Sequence, residues 1–213
     1  MDALLSASWQ RAWAGIGARG DGRAVFDAVV ARYVEPHRHY HTLQHLAECL
    51  RLFDEVHPLA QRPHEVELAL WFHDAIYDTR AADNELRSAD WAREALHAAG
   101  VAADAAERVH ALILATRHTA VPQAGDEALL VDIDLSILGA DAVRFEEYEA
   151  QIRREYAFVP GFLFRRKRRA ILQGFLDRPR LYATDVLHTR LDAVARHNLA
   201  QAIRATRSKG IHA

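Results

Sequence analysis

Apolar residues recur every three or four positions along nearly the whole chain, and no stretch alternates apolar and polar for more than a few residues. That periodicity is the signature of amphipathic helices. The expected fold class is all-α, with about nine or ten helices. Most of the 10 glycines and 6 prolines fall between or at the ends of the periodic segments, where they act as stops. The periodicity predicts helices over 23–34, 42–56, 63–73, from 83 or 84 to Gly100, 104–117, 127–138, 142–156, 161–175 and 185–205. Thr42 is placed to cap the second of these and Gly100 to end the fourth. Leu43, Leu46, Leu50, Phe53 and Val56 make a buried stripe on the second helix.

A chain of 213 residues can bury a core without a disulfide or a structural metal. Its one cysteine, Cys49, excludes an internal disulfide and fits a reducing compartment, so a cytoplasmic location is expected. No apolar run is long enough to span a membrane. Met1–Gly17 lacks the pattern of a secretory signal. A formal net charge of −2 argues against nucleic acid as a partner. The basic run Arg165–Arg169 points in all directions on a helix, so it reads as solvated surface. No repeat, linker or domain boundary is evident. One domain spanning 1–213 is expected, with a core over about 22–157 and C-terminal helices over 158–213.

Thirteen histidines are unevenly spread, and three clusters combine them with carboxylates and apolar neighbours. In the first, over 37–45, His41 and His45 are four apart. If a helix begins near Tyr40, they lie about 40° apart on one face. The second, His73-Asp74, ends the apolar run Leu68–Phe72, where two polar groups need partners. The third is the Asp132/Asp134 pair within an apolar helix. Two positions on a helix differ by about 200°, so the two carboxylates cannot both face one ion. The i±3 and i±4 neighbours of Asp134 are Leu130, Val131, Ile137 and Leu138, all apolar. A cation would satisfy its carboxylate, whereas Asp132 reads as a structural partner. Two histidines and two aspartates from three helices are an inventory for a divalent metal site with open water positions.

These residues bear a family resemblance. The chain resembles the HD-domain superfamily of metal-dependent phosphohydrolases, named for an adjacent His-Asp pair. More closely, it looks like a bacterial family of predicted HD phosphohydrolases of about 200 residues. The matching blocks are RHYHTLQHL (38–46), FHDAIYD (72–78), NELRSA (84–89), ATRH (115–118) and DIDLSILG (132–139), with similarity extending to FLDRPRLYAT (175–184). The resemblance implies an HD helical core with additional N- and C-terminal helices. It also implies a divalent ion (Mn, Mg, Zn, Ni, Co or Fe) held by His45, His73, Asp74 and Asp134. The implied chemistry is cleavage of a phosphate ester of a small molecule, such as a nucleotide, by metal-activated water.

A second similarity concerns roles. YHTLQH looks like the YHN–x2–H segment of cyclic-nucleotide phosphodiesterases, and Asp134-Leu135-Ser136 looks like their metal-binding Asp-Leu-Ser. It implies His41 as general acid and His45 as ligand, with Thr42 standing where those enzymes carry Asn. Glu85, in NELRSA, is a candidate base or water-holding residue. Arg38 and His118 are expected to contact substrate; a second metal is the alternative for His118. Two other readings stay open. A di-iron HD oxygenase needs further histidines before the final Asp, where His97, His110 and His118 stand. A non-catalytic HD protein would bind only a nucleotide or a metal. A homodimer is compatible with all three. His188, His197 and His212 read as surface residues.

Overall fold

The computed structural model describes residues 2–118, 120 and 122–208. His212 therefore lies outside the described residues. Among the described residues there are ten α-helices and no strand. They are α1 (Asp2–Gly15), α2 (Arg23–Tyr33), α3 (Leu43–Val56), α4 (Pro63–Phe72), α5 (Asn84–Ala98), α6 (Ala103–Ala115), α7 (Asp126–Asp134), α8 (Ala142–Glu155), α9 (Gly161–Leu176) and α10 (Asp185–Ser208). Short 3₁₀ turns cover His57–Leu59 and Leu135–Gly139. The all-α expectation holds. None of these helices is long and apolar enough to cross a membrane. The chain divides into two compact units, Met1–Asp134 and Leu135–Ala213, with the boundary falling inside the 22–157 stretch.

In the first unit α4 is the central element. Every residue from Glu65 to Phe72 is buried, so this helix has no solvent face. It packs on α1, α3, α5, α6 and α7. Each large apolar side chain it buries, Trp71 and Phe72 among them, contributes about 1.5–3 kcal/mol. Its two buried carboxylates have partners supplied by neighbouring helices. Arg108 of α6 grips Glu65 with two bonds, at 2.7 and 2.8 Å. Ser8 of α1 donates to Glu67 at 2.6 Å, and Arg11 of α1 bonds both of its oxygens. The indole N–H of Trp71 donates to Ser8 at 3.0 Å. These bonds and the stripe Leu5, Ser8, Trp9, Ala12 and Trp13 seat α1 on α4. The sequence reading sets no bounds for this helix.

Two boundaries differ from the periodicity, and both bear on the site. Thr42 is the N-cap of α3, as expected, its hydroxyl accepting from the N–H of Gln44 at 3.3 Å. His41 therefore precedes the helix instead of sharing its face with His45. The predicted helix 127–138 is α-helical only to Asp134, then tightens into the 3₁₀ turn. Gly100, just past α5, has φ of 78°, a conformation open to glycine without strain.

In the second unit α10 packs against α9 and the Leu135–Gly139 turn. The turn's free carbonyls are taken up from α10 and the segment before it. Asn198 donates to the carbonyls of Leu138 and Ala140, and the Tyr182 hydroxyl to that of Leu135.

Candidate metal centre

α3 carries His45 on its buried stripe because Thr42 fixes where the helix starts. The ring is 2 % exposed, and its Nδ1 lies 3.0 Å from the hydroxyl of buried Tyr40. His73 is the C-cap of α4, where the helix turns out of the core. Its Nδ1 is 2.7 Å from the carbonyl of Leu70. A carbonyl only accepts, so Nδ1 carries a proton, and the neutral form of the ring has its lone pair at Nε2. Asp134 closes α7 at the point where the helix changes type.

These side chains converge. Nε2 of His45 and Nε2 of His73 are 3.2 Å apart. Oδ2 of Asp74 is 3.5 Å from the first and 3.1 Å from the second. Oδ1 of Asp134 is 3.3 Å and 3.5 Å from the same two nitrogens. Donors sharing one ion at bond lengths of 2.0–2.2 Å, at tetrahedral or octahedral angles, stand about 2.9–3.5 Å apart. The five separations above fall in or near that range. Two ring nitrogens at this separation are satisfied either by an N–H of one ring donating to the other or by a metal between them.

The electrostatics point the same way. Burial opposes charge on the His73 ring, but the Asp74 and Asp134 carboxylates outweigh it and raise its pKa well above the ordinary value. Burial also works against both carboxylates. His73, His41 and His45 nevertheless hold Asp74 below the usual carboxylate range. Asp134 is held well below it by bonds from His118, His45 and His73.

Three expected residues stand around this core in distinct ways. His41 stacks on Tyr77, ring centroids 4.0 Å apart, with its ring centroid 6.1 Å from that of His45. His118 bonds Oδ2 of Asp134 at 2.9 Å and so braces the oxygen that does not face the two histidines. It does so from a left-handed backbone, φ 54°, rare outside glycine. Arg38, expected to touch substrate, has a side chain with no exposed surface. Its guanidinium donates to the carbonyls of His41, Asp74 and Ala75 and to Glu35, clamping the loops that carry His41 and Asp74.

Glu85 is half-buried on the first turn of α5 and makes no hydrogen bond or ion pair among the described residues. Asp132 is fully buried. Of the histidines a di-iron site would draw on, His118 adjoins the cluster, while His97 is exposed and His110 pairs with Asp90.

One residue escaped the sequence reading. Cys49, one turn beyond His45 on the same stripe, joins His45, His73 and Asp134 in a group whose donor atoms all lie within 4.8 Å of one another. This group could hold a metal ion. Burial raises the pKa of its thiol well above the ordinary value, with Asp134 and Asp74 adding to the effect. The i, i+4 spacing of His45 and Cys49 is the signal that could have found it.

Comparison with protein-family models, with curated proteins and with solved structures finds no match for this chain.

Proposed function

We propose that this chain is a metal-dependent phosphohydrolase that cleaves a phosphate ester of a small molecule, a nucleotide being the first candidate. The observation that carries the reading is the meeting of His45, His73, Asp74 and Asp134 at one point. Their order along the chain matches the HD-superfamily pattern. His45, His73, Asp74 and Asp134 would hold the ion; when bound, it would polarise a phosphoryl oxygen and activate water.

The remaining roles belong to the chain. His118 orients Asp134, and Tyr40 orients the His45 ring. Arg38 fixes the backbone of His41 and Asp74. His41, held against Tyr77 outside the donor set, delivers a proton to the leaving oxygen. Glu85 is the remaining candidate for holding water at the rim. The reading carries with it a cytoplasmic setting.

Purification without chelator followed by elemental analysis, then turnover with a panel of nucleotides and other phosphate esters, tests it. The expected result is close to one divalent ion per chain and metal-dependent release of phosphate. A stoichiometric metal with no ester cleaved across the panel would instead favour a binding protein.

A further inference from the structure

Among the ten helices α9 alone has no carboxylate, and it holds five cations in succession, Arg165 to Arg169. One of them is built into the second unit: Arg168 is buried and bonded to Glu149 of α8. The other four, Arg165, Arg166, Lys167 and Arg169, make no hydrogen bond or ion pair among the described residues. A solvated basic helix ordinarily meets acids at i±3 or i±4, and α9 has none to offer. The whole chain has a net charge of −2, so this helix is a local reversal of sign.

At about 100° per residue, Phe162, Leu163, Arg166, Lys167, Ala170 and Ile171 fall within about 180° of one another. All six are exposed, Phe162 by 65 % and Ile171 by 51 %, while Arg168 and Leu172 on the opposite side are buried. Phe158, on the turn before the helix, is exposed as well. One exposed apolar side chain needs no explanation. Three on one helix face, interleaved with Arg166 and Lys167, form a surface that is apolar and cationic at once.

We infer that the outer face of α9 docks on an anionic lipid surface, with the helix lying along the bilayer interface. Such a surface takes both halves of the face. Phe162, Leu163 and Ile171 enter the boundary of the acyl chains, and the long stems of Arg166 and Lys167 carry their charges back to the headgroup phosphates. A nucleic acid would satisfy the cations but leave Leu163 and Ile171 in water, because bases stack on aromatic rings and not on branched aliphatic chains. A two-fold dimer through this face would set its cations against their own copies. The inference stands apart from the metal centre, which belongs to the other unit.

Co-sedimentation of the full chain with vesicles tests it. One set is phosphatidylcholine alone, the other phosphatidylcholine and phosphatidylserine in equal parts. Wild type is expected to pellet with the second set, to stay in solution with the first, and to release as salt rises. Each Lys or Arg near an anionic surface is worth roughly fivefold in partitioning. Arg166→Gln with Lys167→Gln should therefore weaken binding by roughly tenfold or more. Phe162→Ser should weaken it with the charge unchanged, and Arg51→Gln, an exposed cation on α3, should leave it near wild type. All these side chains are exposed, and circular dichroism checks that the variants fold.

Failure of wild type to pellet with the anionic vesicles, or equal pelleting with both sets, would overturn the inference. So would wild-type binding by the double variant. Binding of an oligonucleotide in place of vesicles, unaffected by Phe162→Ser, would give the face to nucleic acid instead. A concentration-dependent dimer abolished by Phe162→Ser, with no vesicle binding, would give it to a second copy of the chain.

Discussion

Asp132 and Asp134 are two residues apart and do different things. Asp132 is fully buried, while Asp134 reaches the two histidine nitrogens and is braced by His118. Asp134→Ala is expected to abolish metal binding. Asp132→Ala should keep the metal and lose stability, by about 1–3 kcal/mol for the buried interaction it removes. Elemental analysis and urea unfolding of both variants separate the roles; the reverse pattern would reverse the assignment.

His41 and His45 divide in a similar way. His41 sits before the cap of α3, stacked on Tyr77. His41→Ala should retain metal and lose roughly 10²–10⁴ in kcat. The loss should shrink for a nitrophenyl ester, whose leaving oxygen needs less protonation. An equal loss for good and poor leaving groups would remove His41 as the acid. His45→Ala should lose metal and activity together.

Among the elements, α4 shows what a central helix requires of its neighbours. Its buried Glu67 is neutralised from α1 by Arg11, with Ser8 as a second donor. Arg11→Met would strand that carboxylate, at an expected cost of about 2–3 kcal/mol measured by denaturant unfolding. Adding Glu67→Gln should recover part of the loss, because the stranded group is then neutral. If the two losses simply add, the pair is not coupled.

The same elements show what the sequence makes legible. The stripes of α3 and α6 are wide and regular, so periodicity finds them. The stripe of α1 contains Ser8 and Ala12 and is harder to read; its anchor is a carboxylate in a helix far along the chain. Thr42 was readable as a cap, but the start of α3 three residues past Tyr40 moved His41 off the helical face. The end of α7 at Asp134 was hidden because Ile137 and Leu138 continue an apolar pattern through the 3₁₀ turn. The four donors were readable because each sits among apolar residues where a bare charge is costly. Arg38 was not, since apart from Glu35 its partners are backbone carbonyls, which carry no residue signature.

At the scale of the molecule, pH acts on paired groups. In the second unit Asp192 accepts from Arg196 at 2.6 Å and from the N–H of Leu181 at 3.2 Å, while Arg196 also holds the carbonyls of Leu176 and Arg178. Burial works against the Asp192 charge, but these bonds prevail and lower its pKa. A lowered folded pKa means stability that is present above the unfolded value, about 3.9, and lost as pH falls through the folded one. Asp192→Asn should therefore destabilise at neutral pH, and the difference from wild type should fade below about pH 4. Unfolding curves at several pH values check this; a gap that widens toward acid would contradict it.

The convergence of His45, His73 and Asp134 also has a topological consequence. His45 and His73 are 28 positions apart, and Asp134 lies much further along the chain. An ion bonded to all three ties distant stretches of backbone at a single knot, as disulfides do in secreted domains, in a chain with only one cysteine. Such a tie removes freedom from the unfolded chain and must be undone before the helices can separate. Loading the centre should then lengthen the lifetime of the folded state, and a chelator should shorten it, so that metal supply would set the endurance of the molecule.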